Sequence, residues 1–275
     1  MAERNPRERL PRLGGEPVPA IRRSMPAPKQ IRVSATSGAM VSDQFGSEHV
    51  SDLSSVSQDY LRVIWTVGEW GPEEVTTTML AKRLGVTRST VSESIRKLTD
   101  RHFVLHERYG GVTLTEKGRS VAVSMVRRHR LLETFLVREF GYRWDEVHGE
   151  ADVLEHAISD QFLAQMDAKL GYPTRDPHGD PIPRDDGTVD AMSARVLTDL
   201  EVGDSGWIVR VADAVPQILR YFDTLGLTLD QHVVVTGCRP FAGTVEIAVG
   251  ERRFELGNVA ARAMWISDHA QKNVG

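Results

Sequence analysis

"TTTMLAKRLGVTRSTVSESIRKLTDRHFVLHERYGGVTLT", residues 76–115, decides the fold of the N-terminal half. Residues 76–86 predict a short helix that stops at Gly85, a residue type suited to ending helices. A Thr or Ser cap then opens a second helix over 87–104, whose buried face is Val91, Ile95 and Leu98. Residues 103–115 alternate, turn at Gly110-Gly111 and alternate again, as a β-hairpin does. Upstream, "SSVSQDYLRVIWTVGEW" (54–70) sets Tyr60, Ile64 and Val67 at helical spacing. Helix, short helix, tight turn, helix and hairpin is the order of a winged helix-turn-helix. Its third helix offers Thr87, Arg88, Ser89, Thr90, Ser92, Arg96 and Lys97 to DNA. Small hydroxyls allow close approach to base edges, and the cations suit phosphate or guanine. Arg108 and Tyr109, at the wing tip, are placed to reach the flanking backbone. The competing reading is a charged helix face that meets only solvent.

The bulk numbers permit this and exclude little else. The chain has 275 residues, which suits two or three small domains, and 40% are apolar, enough for real cores. A net charge of −4 does not exclude DNA binding, because basic residues can be local. Cys238 is the only cysteine, so no disulfide can form within the chain, which fits a reducing cytoplasm. No apolar run approaches the roughly 18 residues of a membrane span. The arginines near the N-terminus are not followed by an apolar stretch, so no secretory signal is expected there. Residues 1–50, rich in Pro, Arg, Ser and Gly with eight Lys/Arg against five Asp/Glu, are expected to be a disordered tail.

Beyond the hairpin, residues 115–141 predict a long helix capped by Thr115 and ended by Gly141. A second long helical region is expected over 144–171, with a break near Gly149. Val123, Val126, Leu131, Leu132, Phe135, Leu136, Ile158, Phe162, Leu163 and Met166 exceed what a small winged domain can bury. They are expected in an interhelical and subunit core, hence a homodimer, which also suits a palindromic DNA site. Residues 172–187 are Pro/Asp/Gly-rich and read as linker. "GDSGWIVRVAD", "QHVVVTG", "GTVEIAVG" and "RRFEL" then read as short strands, with one helix over 214–227 between the first two. Short strands with glycine turns indicate a small SH3-like barrel.

The second helical region holds "VHGEADVLEHAISD" (147–160). His148, Asp152, Glu155 and His156 stand at i, i+4, i+7 and i+8, on about a 100° arc of one helix. His129 and Glu133 form another i, i+4 pair on the preceding helix, and Asp59 lies on the first helix beside its apolar face. Residues 121–200 carry fifteen Asp/Glu against nine Lys/Arg. Crowded carboxylates repel in a folded core, and a divalent cation relieves that repulsion. Carboxylates and imidazoles without thiolate suit Mn²⁺ or Fe²⁺. A plain acidic, solvent-facing helix is the alternative.

"QDYLRVIW", "VSESIRKL", "GVTLTEKGR", "RRHRLLE", "VHGEADVLEHAISD" and "HGDPIP" occur in one order, and over 54–185 the chain resembles the diphtheria-toxin-repressor family of metal-dependent regulators, in its manganese-transport-regulator branch. The C-terminal strands resemble that family's SH3-like (ferrous-transport-A-like) domain. The resemblance implies a mainly α protein with small β. Its parts are a winged helix-turn-helix over 51–118, a helical metal-binding and dimerisation domain over 119–172, a linker over 173–200 and an SH3-like β-barrel over 201–270. It implies two metal positions per subunit. One comprises Asp59, Asp152, Glu155 and His156; the other comprises His129, Glu133 and His148 with a barrel ligand, taken as Asp213 ahead of Gln217. Carboxylates at 59 and 152, where the iron-sensing branch has Met and Cys, favour Mn²⁺ over Fe²⁺. Arg62, where some manganese sensors have an acid, departs from the pattern, as does the short side chain of Asp152.

The expected function is a cytoplasmic, homodimeric, Mn²⁺-dependent repressor of manganese-uptake genes that binds operator DNA and has no catalytic residue. The alternatives are an Fe²⁺-dependent repressor of iron uptake, a helical metal-dependent hydrolase, and a winged-helix regulator that senses an organic ligand.

Overall fold

A computed structural model describes residues 50–70, 74–107 and 110–270. Apart from Val50, the expected disordered tail lies outside the described residues, as do Arg108 and Tyr109 of the wing tip.

Side-chain caps start the helices where the sequence offers hydroxyls. α1 (Ser55–Glu69) begins after Ser54, α2 (Thr77–Leu84) after Thr76 and α3 (Arg88–Asp100) after Thr87. Each cap hydroxyl accepts a hydrogen bond from an amide of the first turn, a contact typically worth about 1 kcal/mol. Gly85, at φ 66°, carries the chain from α2 into α3 through a conformation that a β-carbon disfavours. β1 (Val104–His106) and β2 (Val112–Leu114) pair antiparallel and form the wing. Leu61, Leu80, Val91, Ile95 and Phe103 are fully buried beneath it, and Ala122 and Met125 of α4 close the same core. Burying each such leucine or isoleucine contributes about 1.5–3 kcal/mol, so α4 and the winged domain are firmly joined.

α4 (Glu116–Phe140) is capped by Thr115 and ended by Gly141, as the sequence predicts. The next region differs from expectation. Gly149 lies inside α5 (Val147–Leu154), and the break falls at 155–159, before α6 (Asp160–Lys169). The Ser159 hydroxyl accepts from the Phe162 amide, so a local cap competes with continuation of the helix and wins. Glu155 and His156 therefore stand at the end of α5 rather than along a helix face. Leu131, Leu132, Ala151, Leu163, Met166, Leu170 and Ile182 form a second core. Most of the residues expected to share a subunit core are buried within the one chain, whereas Phe162 stays 48% exposed.

The segment expected to be linker is packed inside the protein over 173–183. His178 is fully buried, and Asp176 and Asp180 are 5% and 4% exposed. The Asp176 side chain accepts from the His178 and Asp180 amides, and the Asp176 amide donates to the Asp180 carbonyl. These local bonds satisfy the backbone that burial would otherwise orphan. A β-carbon on Gly179 would fall 2.0 Å from the Val209 carbonyl, so glycine lets the segment cross β4 at this distance.

The C-terminal domain is a six-stranded antiparallel sheet. Its strands are β3 (Arg195–Val196), β4 (Ser205–Val211), β5 (His232–Arg239), β6 (Thr244–Val249), β7 (Arg252–Gly257) and β8 (Met264–Ser267). Their order is β3-β8-β4-β5-β6-β7. α7 (Pro216–Leu225) packs Leu219 and Phe222 into the core, and α8 (Asn258–Ala261) adds Ala260 and Ala261. The four strands and one helix expected from the sequence are present. β3, α8 and β8 went unforeseen, being too short to display a period, and β3 lies within the expected linker. Arg210 of β4 joins this domain to the rest. Its guanidinium sits 4.2 Å from the ring centres of both Trp70 and Trp265, and its Nε donates to Asp180 at 2.6 Å.

Candidate metal centre

α1, α4, α5, the 173–183 segment and the turn after β4 converge on a cleft of about 470 Å³. Among its walls are Asp59, His129, Glu133, His148, Asp152, Asp176 and Asp213. Residues far apart in the chain here bring together carboxylates and imidazoles, with no sulfur among them.

Asp59, Glu155 and His156 present donor atoms within 4.8 Å of one another. His156 Nε2 is 3.0 Å from Asp59 Oδ1 and 3.7 Å from Glu155 Oε1. Two further triads share Glu133: one with His148 and Asp213, the other with Asp176 and His178. Asp213 Oδ2 lies 3.5 Å from His148 Nδ1, so the barrel does reach this cluster. Gln217 is exposed on α7.

Asp152 departs from the grouping implied by the resemblance. Its Oδ1 accepts from Arg62 Nη2 at 2.7 Å, and it groups with His129 and His148 instead. Arg62 is buried between α1 and α5, with its Nε 3.1 Å from Glu155 Oε1. The short aspartate turns to that guanidinium rather than to Asp59. His129 borders both sides of the centre. Its Nδ1 donates to Glu155 Oε2 at 2.6 Å and its Nε2 to Glu133 Oε1 at 3.1 Å.

The titration behaviour follows from this crowding. Burial opposes charge on His129, yet the neighbouring Glu133 carboxylate and hydrogen bonds to Glu133 and Glu155 lift its pKa to about 9. Burial likewise opposes charge on Glu133, but His129 and hydrogen bonds from the surrounding imidazoles hold it well below the usual carboxylate range. His178 is pushed well above its ordinary value: burial works against this, and Glu133 and Asp176 outweigh it. Burial, helped by Asp180, raises Asp176 to about 7, and burial chiefly raises Asp59. Protons thus hold the acid cluster together, in places a divalent cation can take over.

Two buried atoms test the fit of a cation. Glu155 Oε1 and His178 Nδ1 are buried without a well-formed hydrogen bond, their polar neighbours being Arg62 Nε at 3.1 Å and Glu133 Oε2 at 3.7 Å. Each faces a triad: Glu155 Oε1 the first, and His178 Nδ1, 3.7 Å from Glu133 Oε2, the second. His178 Nε2 is 2.7 Å from the Trp144 carbonyl and donates to it, which leaves Nδ1 as the atom aimed inward. Buried donors of this kind fit a divalent ion that takes oxygen and nitrogen ligands. Asp59, Glu155 and His156 suit one position, and Glu133, His148, Asp176, His178 and Asp213 suit another. The sequence reading missed Asp176 and His178, because a Pro/Asp/Gly-rich segment reads as solvent-exposed; "HGDPIP" was the one signal there.

At the other end of the winged domain, Thr87, Arg88, Ser89, Thr90, Ser92, Arg96 and Lys97 are all exposed on or beside α3. Thr87 doubles as the helix cap, and its hydroxyl bonds those of Ser89 and Thr90. Lys97 pairs with Glu93 at 2.7 Å and Arg96 with Asp100 at 3.5 Å. Among the described residues, no helix is long and apolar enough to cross a membrane.

Comparison with known proteins joins these parts. Residues 52–112 match the iron dependent repressor N-terminal DNA binding domain, residues 115–184 the iron dependent repressor metal binding and dimerisation domain, and residues 195–268 the FeoA domain. The iron-dependent repressor IdeR of Mycobacterium leprae is 30% identical over 231 residues, covering 78% of this chain and 98% of that protein. The diphtheria toxin repressor of Corynebacterium diphtheriae is 30% identical over 174 residues, covering 62% of this chain and 71% of that one. A solved manganese-dependent transcriptional repressor in complex with manganese is 55% identical, with a TM-score of 0.74 over 76% of this chain and 98% of its own. The manganese regulator SloR is 31% identical, with a TM-score of 0.67 over 77% and 97%.

Proposed function

The chain belongs to the iron-dependent repressor family of metal-dependent transcriptional regulators, and from that footing we propose that its metal is Mn²⁺ and that it represses manganese-uptake genes as a homodimer on operator DNA. The observation that carries the choice of metal is the donor set. Every side chain of the two clusters offers carboxylate oxygen or imidazole nitrogen, with a carboxylate at position 59, and the neighbouring Asp152, which turns to Arg62, is a carboxylate as well. Such donors suit a hard divalent ion. The 55% identity to a repressor titled as manganese-dependent supports the same reading.

When bound, the cation supplies the positive charge that the buried carboxylates otherwise draw from protons. The residues then explain why this affects DNA. Asp59 belongs to α1 of the winged domain, whereas Glu155 and His156 end α5 of the helical domain. Holding Asp59 against that pair fixes α1, and with it α3, relative to α5. Asp213 performs a similar service for the barrel at the second position. The effect on DNA affinity equals the preference of the cation for this arrangement over looser ones. Exposed Phe140, Phe162 and Tyr172 on the helical domain support dimerisation through it. Arg88, Arg96 and Lys97 meet phosphate or guanine, and Ser89, Thr90 and Ser92 let α3 approach the base edges.

The test is fluorescence anisotropy with duplexes selected in vitro on the metal-loaded protein, titrated with Mn²⁺, and anaerobically with Fe²⁺. Tight binding in Mn²⁺, lost in Asp59→Ala and His156→Ala, is expected. Equal metal-dependent binding by both variants and the wild type would sink the assignment. The relatives named iron-dependent repressors support Fe²⁺ as the second reading, and activation by Fe²⁺ alone would establish it.

A further inference from the structure

His156 is reached from α1 by two side chains, Asp59 and its neighbour Gln58. Gln58 is 6% exposed, an unusual place for a carboxamide unless its hydrogen bonds are met. Its Nε2 donates to the carbonyls of Val50 at 2.7 Å and Leu53 at 3.0 Å, in the turn that leads into α1. An amide nitrogen only donates and an amide oxygen only accepts, so these two bonds decide which end of the carboxamide faces inward. Gln58 Oε1 therefore meets His156 Nδ1, at 2.6 Å, and His156 must be the donor. In a neutral imidazole with Nδ1 protonated, Nε2 carries the lone pair. Nε2 faces Asp59 Oδ1 at 3.0 Å and Glu155 Oε1 at 3.7 Å: without metal a proton bridges it to Asp59, and a divalent cation takes that proton's place.

We propose that Gln58 is a positioning residue: it holds His156 in the Nδ1–H form, with Nε2 turned to a divalent cation between Asp59 and Glu155, and it ties that imidazole to residues 50–53. The proposal rests on the metal reading above and adds a residue outside the ligand set. Leu53 is 5% exposed and belongs to the winged-domain core, so one carboxamide links a metal ligand to the start of the DNA-binding domain. Asp59 binds the same imidazole from its other side, so Gln58 and Asp59 together fix both nitrogens of His156.

Three measurements on the full chain test this. In the metal-free wild type, imidazole ¹⁵N shifts should show His156 Nδ1 protonated. A bare Nδ1 overturns the proposal without any variant. By calorimetry, Gln58→Leu should weaken Mn²⁺ binding about ten- to a hundredfold, the usual cost of losing a group that orients a ligand. Gln58→Glu keeps an acceptor for Nδ1–H and should restore that affinity. It lacks the donors to Val50 and Leu53, so amide exchange over residues 50–57 should quicken in both variants. Equal Mn²⁺ affinities in the wild type and Gln58→Leu overturn the proposal, as does a Glu variant no better than the Leu variant. Unchanged exchange in both overturns the tie to residues 50–53. Should the Leu variant fail to fold, the wild-type shifts and the Glu variant carry the test. His156→Ala separates the two levels. If it leaves Mn²⁺ binding intact, the metal reading itself fails; if it weakens binding while Gln58→Leu does not, only the role of Gln58 fails.

Discussion

Replacing Arg62 by methionine probes how the centre holds its acids without metal. The Arg62 side chain is 11% exposed and the Glu155 side chain 0%, with 3.1 Å between Arg62 Nε and Glu155 Oε1. Asp152, 2.7 Å from Arg62 Nη2, is 41% exposed. Removing one member of a buried ion pair costs about 3–5 kcal/mol, because the other charge stays buried. Glu155 keeps the hydrogen bond from His129, which argues for the lower end. The half-exposed Asp152 adds about 1 kcal/mol at most. The expected loss in the metal-free protein is thus about 3 kcal/mol, a fall in Tm of roughly 6–12 °C for a protein of this size. Calorimetry in chelator and in Mn²⁺ measures it. Ligation stabilises by about 4 kcal/mol at a thousand times Kd, so Mn²⁺ should recover much of the loss. The Mn²⁺-induced rise in Tm should also exceed that of the wild type, since fewer native cations compete. Equal metal-free Tm values for Arg62→Met and wild type would refute the reasoning. Arg62→Lys, which keeps the charge but not the fork that spans Asp152 and Glu155, should fall between them.

Other outcomes follow from the same geometry. The metal-free protein should lose stability as pH rises from about 6.5 to 9, because His129 titrates near 6.5 when unfolded and near 9 when folded. Its contribution, at most about 3 kcal/mol, is whole below that window and lost through it. His178, also raised, acts in the same direction, whereas Glu133, being lowered, matters only in acid. Urea melts in chelator that show constant or rising stability from pH 6.5 to 9 would contradict this. His178→Ala should lower the number of Mn²⁺ ions bound per chain by one, counted by elemental analysis after dialysis; an unchanged count would remove His178 from the second position. Arg210→Lys should free the barrel from α1, costing about 2 kcal/mol as two desolvated cation–π contacts weaken. Limited proteolysis should then cut more readily between residues 184 and 194, and an unaltered cleavage pattern would show the sandwich to be dispensable.

What the sequence determined by itself is what neighbours along the chain decide. Caps at Thr87 and Thr115, the stops at Gly85 and Gly141, the wing and the His129–Glu133 pair all rest on spacings of a few residues. Periodicity and caps act over such distances, so they could be read directly. The ends of α5 and α6 were misjudged because one local cap, at Ser159, outweighed a continuous helical pattern. The tertiary structure alone decided how the acids divide. Arg62 meets Asp152 across 90 residues, and Gln58 meets His156 across 98. It also decided that a segment with the composition of a linker lies buried, bringing Asp176 and His178 to Glu133. Burial of polar and charged groups depends on partners supplied by other elements, and no local pattern encodes which partners will arrive. The residues of the centre could therefore be nominated from the sequence, but their grouping, and the neighbours that hold their protons, came only with the packing of α1, α4, α5 and the barrel.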